Sequence, residues 1–130
     1  MIAAVDPGRD KCGLAVVEDS GEIIMQEVLA RQKLAKRIVS VADKYNLQLV
    51  VLGNGTFSEE IKKVITGNDL LVEVVNERNS TLEARKLYWE HNPPQGWRKL
   101  IPTALQTPQI AVDGYAAVIL AQRYLNNYLT

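Results

Sequence analysis

The chain has 130 residues, of which 47% are hydrophobic and 23% charged, which is typical of one globular domain and excludes a disordered chain. Its net charge is zero, so no overall basic charge marks it as a nucleic-acid binder, and its single cysteine, Cys12, excludes an intrachain disulfide. The N-terminal apolar run is too short for a signal peptide, and no run approaches the ~18 residues of a membrane span. We therefore expect one cytoplasmic domain over residues 1–130 that makes no membrane contact.

The first thirty residues predict an antiparallel meander of three strands. An apolar strand over residues 2–6 is followed by the turn Pro7-Gly8-Arg9-Asp10. A second strand over residues 12–18, which carries Cys12 as a buried structural thiol, turns into a third over residues 22–29.

From residue 31 onward, helices alternate with strands. Apolar residues at helical spacing predict a helix over 31–45, and the unbroken apolar run 47–52 predicts a strand buried on both faces. Capping-box spacing at residues 56–59 starts a second helix, which ends near Gly67 as a left-handed cap. A fifth strand follows over residues 70–76.

The last fifty residues predict two helices on either side of an irregular segment. Ser80 and Glu83 have capping-box spacing and open a helix that runs to about His91, a surface position. Prolines mark the irregular segment that follows. The final helix is expected from about Asp113 to Leu129.

The order of these elements predicts an α/β fold. The fourth and fifth strands each follow a crossover helix, so they should lie parallel to the first strand. The result is a mixed five-stranded sheet in the order 3-2-1-4-5, with strand 2 antiparallel and helices on its faces. Sites in such sheets lie at the carboxyl ends of the parallel strands, where Asp6 and Glu77 stand.

Three carboxylates at the ends of apolar runs, Asp6, Glu77 and Asp113, are the candidate metal ligands and catalytic residues. Brought together they would need neutralising cations or protons. Carboxylate oxygens suit Mg²⁺ or Mn²⁺, and the lack of clustered His or Cys argues against zinc. Each residue also has a structural explanation: Asp6 in a turn, Glu77 at a solvated strand end, and Asp113 as a helix N-cap.

A pair of such ions about 3.5–4 Å apart could activate a water molecule and stabilise the leaving oxygen of a phosphodiester. Asp6, on the central strand, is the best candidate to bridge the two ions. Glu77 and Asp113 would then each hold one side.

Positive charge is concentrated just after Glu77. Residues 78–101 hold five basic and two acidic side chains, whereas residues 1–77 hold nine basic and twelve acidic ones. A solvated helix face would produce the same pattern, and Trp89 and Trp97 could either stack on bases or pack the segment between them. The basic residues that could contact phosphates are Arg9, Lys11, Arg78, Arg85, Lys86, Arg98 and Lys99.

Three segments resemble the YqgF family of the ribonuclease H-like superfamily, which includes Holliday-junction-resolvase-like proteins. Asp6-Pro7-Gly8 followed by Gly13-Leu14-Ala15-Val16 resembles its first two strands and their turn. Residues 76–84 resemble its Asp-Glu-Arg-Leu-Ser-Thr-x-Glu-Ala stretch, and residues 113–120 resemble its Asp-Ser-x-Ala-Ala-x-x-Ile-Leu ending. The departures are Asn76 for Asp, Asn79 for Leu, and a shortened loop after the fourth strand.

The resemblance implies that Asp6, Glu77 and Asp113 form a metal-binding acidic triad. It implies a nuclease that processes ribosomal RNA precursors or resolves Holliday-type junctions, acting on structured RNA or branched DNA as a monomer or weak homodimer. Asp6-Pro7-Gly8 and the loop 53–56 also resemble the YqgF-like domain of the transcription accessory protein Tex, which implies a non-catalytic nucleic-acid-binding module instead. A phosphotransferase of the actin and sugar-kinase type also begins with Asp-x-Gly and a hairpin, but it needs two such domains.

Overall fold

The computed structural model describes residues 1–55, 57–76, 78, 80–92 and 109–129. Within its two C-terminal helices, the side chains of residues 80, 81, 109–113 and 127–129 lie outside the description. The elements are β1 (Ile2–Asp6), β2 (Lys11–Val17), β3 (Ile23–Ala30), α1 (Arg31–Tyr45), β4 (Leu49–Gly53), α2 (Ser58–Thr66), β5 (Leu71–Val75), α3 (Ser80–His91) and α4 (Gln109–Leu129).

The five strands form one mixed sheet in the order β3-β2-β1-β4-β5. β2 runs antiparallel to both β1 and β3, whereas β4 is parallel to β1 and β5 is parallel to β4. The two parallel pairings follow from α1 and α2, each of which carries the chain back across the sheet. The predicted fold class and strand order are confirmed.

Helices α1 and α2 cover one face of the sheet. Because side chains alternate along a strand, Val5, Leu14 and Leu52 face these helices. They pack there against Leu34, Ile38, Val41, Ile61 and Ile65. Leu52 is fully buried on this face and Val51 is fully buried on the other, so the prediction that β4 is buried on both faces is confirmed.

Helix α4 covers the opposite face through small side chains. Ala117 and Ala121 are fully buried and belong to one cluster with Ala4 and Ala15 of the sheet. Small residues on both surfaces allow the helix backbone to lie close to the strands. Helix α3 packs on α4, where Ala84 meets Tyr115, Ala116 and Ile119. No helix in the described ranges is both long and apolar enough to cross a membrane.

The structure corrects three details of the prediction. Gly67 has φ −64°, so the left-handed cap is wrong; 3₁₀-type hydrogen bonds continue past it, and Asp69 takes the positive φ instead. The N-cap of α2 is Phe57, which makes no side-chain capping bond, rather than the predicted Thr56, which lies outside the described residues. Helix α4 begins at Gln109, so Asp113 lies inside the helix and is not its N-cap.

We expect Ala117→Leu to destabilise the protein by about 1–3 kcal/mol, because the extra methylenes must force α4 away from the sheet. Urea unfolding followed by circular dichroism measures this change. The control is Ser40→Leu on the exposed face of α1, which should stay within about 0.5 kcal/mol of the wild type. Equal stabilities for the two variants would contradict the close packing of α4.

Candidate functional site

One end of the sheet collects the carboxyl ends of the three parallel strands. Pairing places Asp6 opposite Gly13 and Gly13 opposite Val28. On the other side of β1, Val5 pairs with Leu52, so Asp6 is level with Gly53, which pairs with Val75. We call this row, Val28-Gly13-Asp6-Gly53-Val75, the site edge.

Asp6 stands in the middle of the site edge. It ends β1 and is half-buried. Ile2 and Ala4 lie four and two residues before Asp6 on the same strand, so their side chains point to the same face of the sheet as that of Asp6. Both belong to the cluster under α4. The Asp6 carboxylate therefore belongs to the face that α4 covers, on the central strand of the sheet.

A tight turn behind Asp6 depends on Gly8. A Cβ atom added at Gly8 would overlap the carbonyl oxygen of Lys11, so no other residue fits there without movement of the backbone. The carbonyl of Asp10 in the same turn accepts a hydrogen bond of 2.9 Å from the amide of Arg31. This hydrogen bond fixes the turn to the start of α1. The turn, so anchored, holds the end of β1 in place.

Cys12 lies close to Asp6 but is not available for chemistry. It is 1% exposed and faces the core under α1. Burial raises the pKa of its thiol, and the Asp6 charge raises it further. A backbone hydrogen bond from Gly8 and the charge of Arg31 lower the pKa by a smaller amount. The thiol is therefore protonated at neutral pH, and the prediction of a buried structural cysteine is confirmed.

Arg123, a residue of α4, holds the segment that follows β5. Its Nη1 donates to the carbonyl of Asn76 at 2.8 Å, and its Nη2 lies 3.0 Å from Glu83 Oε1. The Oδ1 atom of Asn76 accepts a hydrogen bond of 2.8 Å from the amide of Arg78, which forms an Asx turn. The residues on both sides of position 77 are thus fixed, although Glu77 itself lies outside the described residues.

The start of α4 lies above the same end of the sheet. A Cβ atom at Gly114 would be 3.0 Å from Gln26 Oε1 and 3.8 Å from Val28 Cγ2, and Val28 belongs to the site edge. Asp113, the residue before Gly114, therefore has its backbone near this edge. Its side chain is not among those described.

The backbone brings Asp6 and Asp113 to one end of the fold, and the predicted triad stays a prediction. β1 and β5 are two strand spacings apart, about 10 Å, with Asp6 on the middle strand. Among the side chains that the structure describes, no group of three His, Cys, Asp or Glu residues is placed to hold a metal. That set leaves out Glu77 and the Asp113 side chain.

Five of the seven predicted phosphate-binding residues are described by the structure, and they fall into two groups. Arg9, Lys11 and Arg78 are exposed: Arg9 lies in the turn after β1, Lys11 opens β2, and Arg78 follows β5, all at or beside the site edge. Arg85 and Lys86 lie on α3, which packs on α4, and Lys86 is exposed. Arg98 and Lys99 fall outside the described residues, as does Trp97.

His91 and Trp89 both lie near the end of α3. His91 is exposed at the end of α3, so its assignment to the surface is confirmed, and Trp89 stacks edge-on against Tyr88 with 4.9 Å between ring centroids. Sequence reasoning missed Arg123. The available signal was that Arg123 is the one basic residue in the α4 sequence.

A mixed sheet of this order, with helices on its faces, is the ribonuclease H-like fold. The structure of Thermus thermophilus RuvC in complex with a Holliday junction substrate aligns with a TM-score of 0.58 at 13% identity, over 97% of this chain and 94% of that one. A second Thermus thermophilus RuvC structure aligns with a TM-score of 0.53 at 14% identity, over 95% and 93%. These similarities show the nuclease-like fold.

The family is shown by the sequence itself. Residues 1–82 match the family model of the Tex protein YqgF-like domain, and the chain belongs to this family. The matched segment contains Asp6 and Glu77 and ends before α4. A search of the curated proteins finds no match.

We expect Gly8→Ala to destabilise the fold by about 3 kcal/mol, because the turn behind Asp6 must open to admit the methyl group. Urea unfolding gives the value. Gly67→Ala is the control: its helical φ suits any residue, so it should change stability by less than about 1 kcal/mol. A Gly8→Ala variant as stable as this control would show that the turn is not constrained.

We expect Arg123→Met to loosen the segment between β5 and α3 and to cost no more than about 1 kcal/mol, because Glu83 is half exposed. Hydrogen exchange should become faster at the amides of Arg78 and Glu83. Arg37→Met removes an ion pair with Glu27 on the other face of the sheet and should leave both amides unchanged. Unchanged exchange in Arg123→Met would show that α4 does not hold this segment.

Proposed function

We propose that this domain binds structured nucleic acid and hydrolyses its phosphodiester bonds, using Mg²⁺ or Mn²⁺ held by Asp6, Glu77 and Asp113. The observation that carries the proposal is the position of Asp6. It is a half-buried carboxylate on the central strand, level with the end of β5 and on the face that α4 covers.

The residues available at the site edge suit hard divalent ions. Carboxylate oxygens are the ligands that Mg²⁺ and Mn²⁺ prefer. Of the softer ligands, Cys12 faces the core under α1, and the exposed His91 ring packs edge-on against Tyr115 at 5.7 Å between centroids. When bound, the ions would supply an activated water and charge stabilisation for the leaving oxygen.

The protein's own contribution is position and charge. The Gly8 turn fixes the end of β1, so Asp6 needs little ordering when an ion binds, and Arg123 fixes the chain at Asn76 and Glu83. Exposed Arg9, Lys11 and Arg78 supply positive charge at the same end of the sheet, where they would attract and orient phosphates.

The proposed substrates are branched DNA and structured RNA, including ribosomal RNA precursors. We propose further that the protein is cytoplasmic and acts as a monomer or weak homodimer. Fold similarity to RuvC, whose structure holds a Holliday junction substrate, supports the branched DNA. Net charge near zero predicts that contacts are confined to the basic residues of one end rather than spread over the surface.

A second candidate function is a nucleic-acid-binding module without catalysis. The family match favours it, and so does Asn76, which stands where the YqgF pattern has an acid. The Asn76 side chain serves the turn before Arg78 and brings no negative charge to the site. Such a module would bind the same substrates and leave them intact.

The decisive assay incubates a labelled four-way DNA junction and a structured RNA with the protein while Mn²⁺ is titrated. We expect metal-dependent cutting that Asp6→Asn lowers at least ~100-fold, because losing a direct ligand should cost no less than losing one of its supporting partners. The matched control is Asp10→Asn, an exposed acid in the adjacent turn, which should cut at the wild-type rate.

Binding of the same substrates, measured in parallel, separates the candidates. Binding without cutting by the wild type would establish the second candidate. Absence of both binding and cutting would overturn both.

A further inference from the structure

An open cleft of about 310 Å³ lies between β3, the end of α3 and the start of α4. Its volume is at the lower end of the range for small-molecule sites. Its walls come from Gln26 and Val28 of β3, Tyr88 of α3, Asn92 just beyond α3, and Gly114 and Tyr115 of α4, with Glu27 at the border.

The cleft adjoins the proposed catalytic site. Val28 is the outermost member of the site edge, in the row that contains Asp6. Gly114 directly follows Asp113, one of the proposed metal ligands. A strand whose phosphate lay at Asp6 would therefore carry one of its neighbouring nucleotides past this cleft.

One wall of the cleft is aromatic and held by packing. Tyr115 is 7% exposed and meets Tyr88 edge-to-face, with 6.0 Å between ring centroids. Tyr88 is half-buried and also contacts Trp89. Rings fixed in this way provide a flat surface at little conformational cost.

The other described polar groups are two carboxamides, Gln26 and Asn92, and the carboxylate of Glu27. The Gln26 side-chain oxygen lies 3.0 Å from where a Cβ of Gly114 would stand. The Asn92 amide donates to the Tyr88 carbonyl at 3.0 Å, which fixes its orientation. The Glu27 carboxylate is paired with Arg37, a residue of α1. None of the described residues that line the cleft is Lys or Arg, so this part of the lining offers a phosphate no positive charge.

We propose that this cleft binds one unpaired nucleobase of the strand held at the site edge; the inference rests on the proposed function. Tyrosine rings stack on bases of any sequence, and carboxamides hydrogen-bond to base edges. A paired base cannot enter, because it is stacked inside a duplex. The domain would therefore prefer nucleotides that are already unstacked, as at a junction, bulge or loop.

The test titrates the Asp6→Asn protein, which should not cut, with a single-stranded tetranucleotide and with an abasic tetramer of the same backbone. Amide chemical shifts report both affinity and location. We expect the base-bearing tetramer to bind about tenfold more tightly and to shift the amides of Val28, Asn92 and Gly114. Equal affinities for the two tetramers, or unshifted amides in the cleft, would overturn the inference.

A variant pair attributes the effect to the cleft. Tyr88→Leu keeps apolar volume and removes the ring, so the affinity ratio should fall towards one. Tyr45→Leu, a half-buried tyrosine of α1 on the other face of the sheet, should keep the tenfold ratio. A ratio that survives Tyr88→Leu in a folded protein would also overturn the inference.

The two proposals fail in different ways. If the wild type cuts structured nucleic acid but shows no preference for the base-bearing tetramer, only the cleft inference fails. If neither tetramer binds and the wild type neither binds nor cuts structured substrates, the proposed function fails, and the cleft inference fails with it.

Discussion

The close packing of α4 on the sheet is the constraint on which the rest of this structure depends. Alanines on the helix and on β1 and β2 let the two backbones approach, and larger side chains would prevent this. The same helix brings the backbone of Asp113 to the site edge, Arg123 to the chain leaving β5, and Tyr115 to the cleft. Stability and the proposed chemistry therefore share one interface.

Much of the fold was predictable because it depends on local patterns. Apolar runs and crossover connections gave the strand order, and helical spacing placed α1 at its observed bounds, Arg31–Tyr45. Gly67 misled the prediction because hydrogen bonds continued past it to Asp69. Arg123 was missed because its partners, a backbone carbonyl and a carboxylate, lie 47 and 40 residues away in the chain. Of the site, the sequence supplied the candidate acids, and the fold places Asp6 and the backbone of Asp113 at one end of the sheet.

Asn76 shows how a binding module and a nuclease could differ while keeping one backbone. Its Oδ1 accepts the amide of Arg78, and an aspartate carboxylate would accept the same hydrogen bond. The exchange from Asp to Asn therefore preserves the turn that precedes the α3 helix and removes one negative charge beside the site. A change of that kind weakens attraction for a cation without disturbing the surface that contacts phosphates.

If a divalent ion binds at the end of the sheet where Asp6 stands, paramagnetic broadening by Mn²⁺ will show it without any assumption about substrate. We expect low Mn²⁺ concentrations to broaden the amide signals of Gly13 and Gly114. Signals of Val17 and Leu71, at the opposite end of the strands, should stay sharp. Asp6→Asn should abolish the broadening. Broadening at the opposite end, or none at all in the wild type, would show that no divalent ion binds beside Asp6.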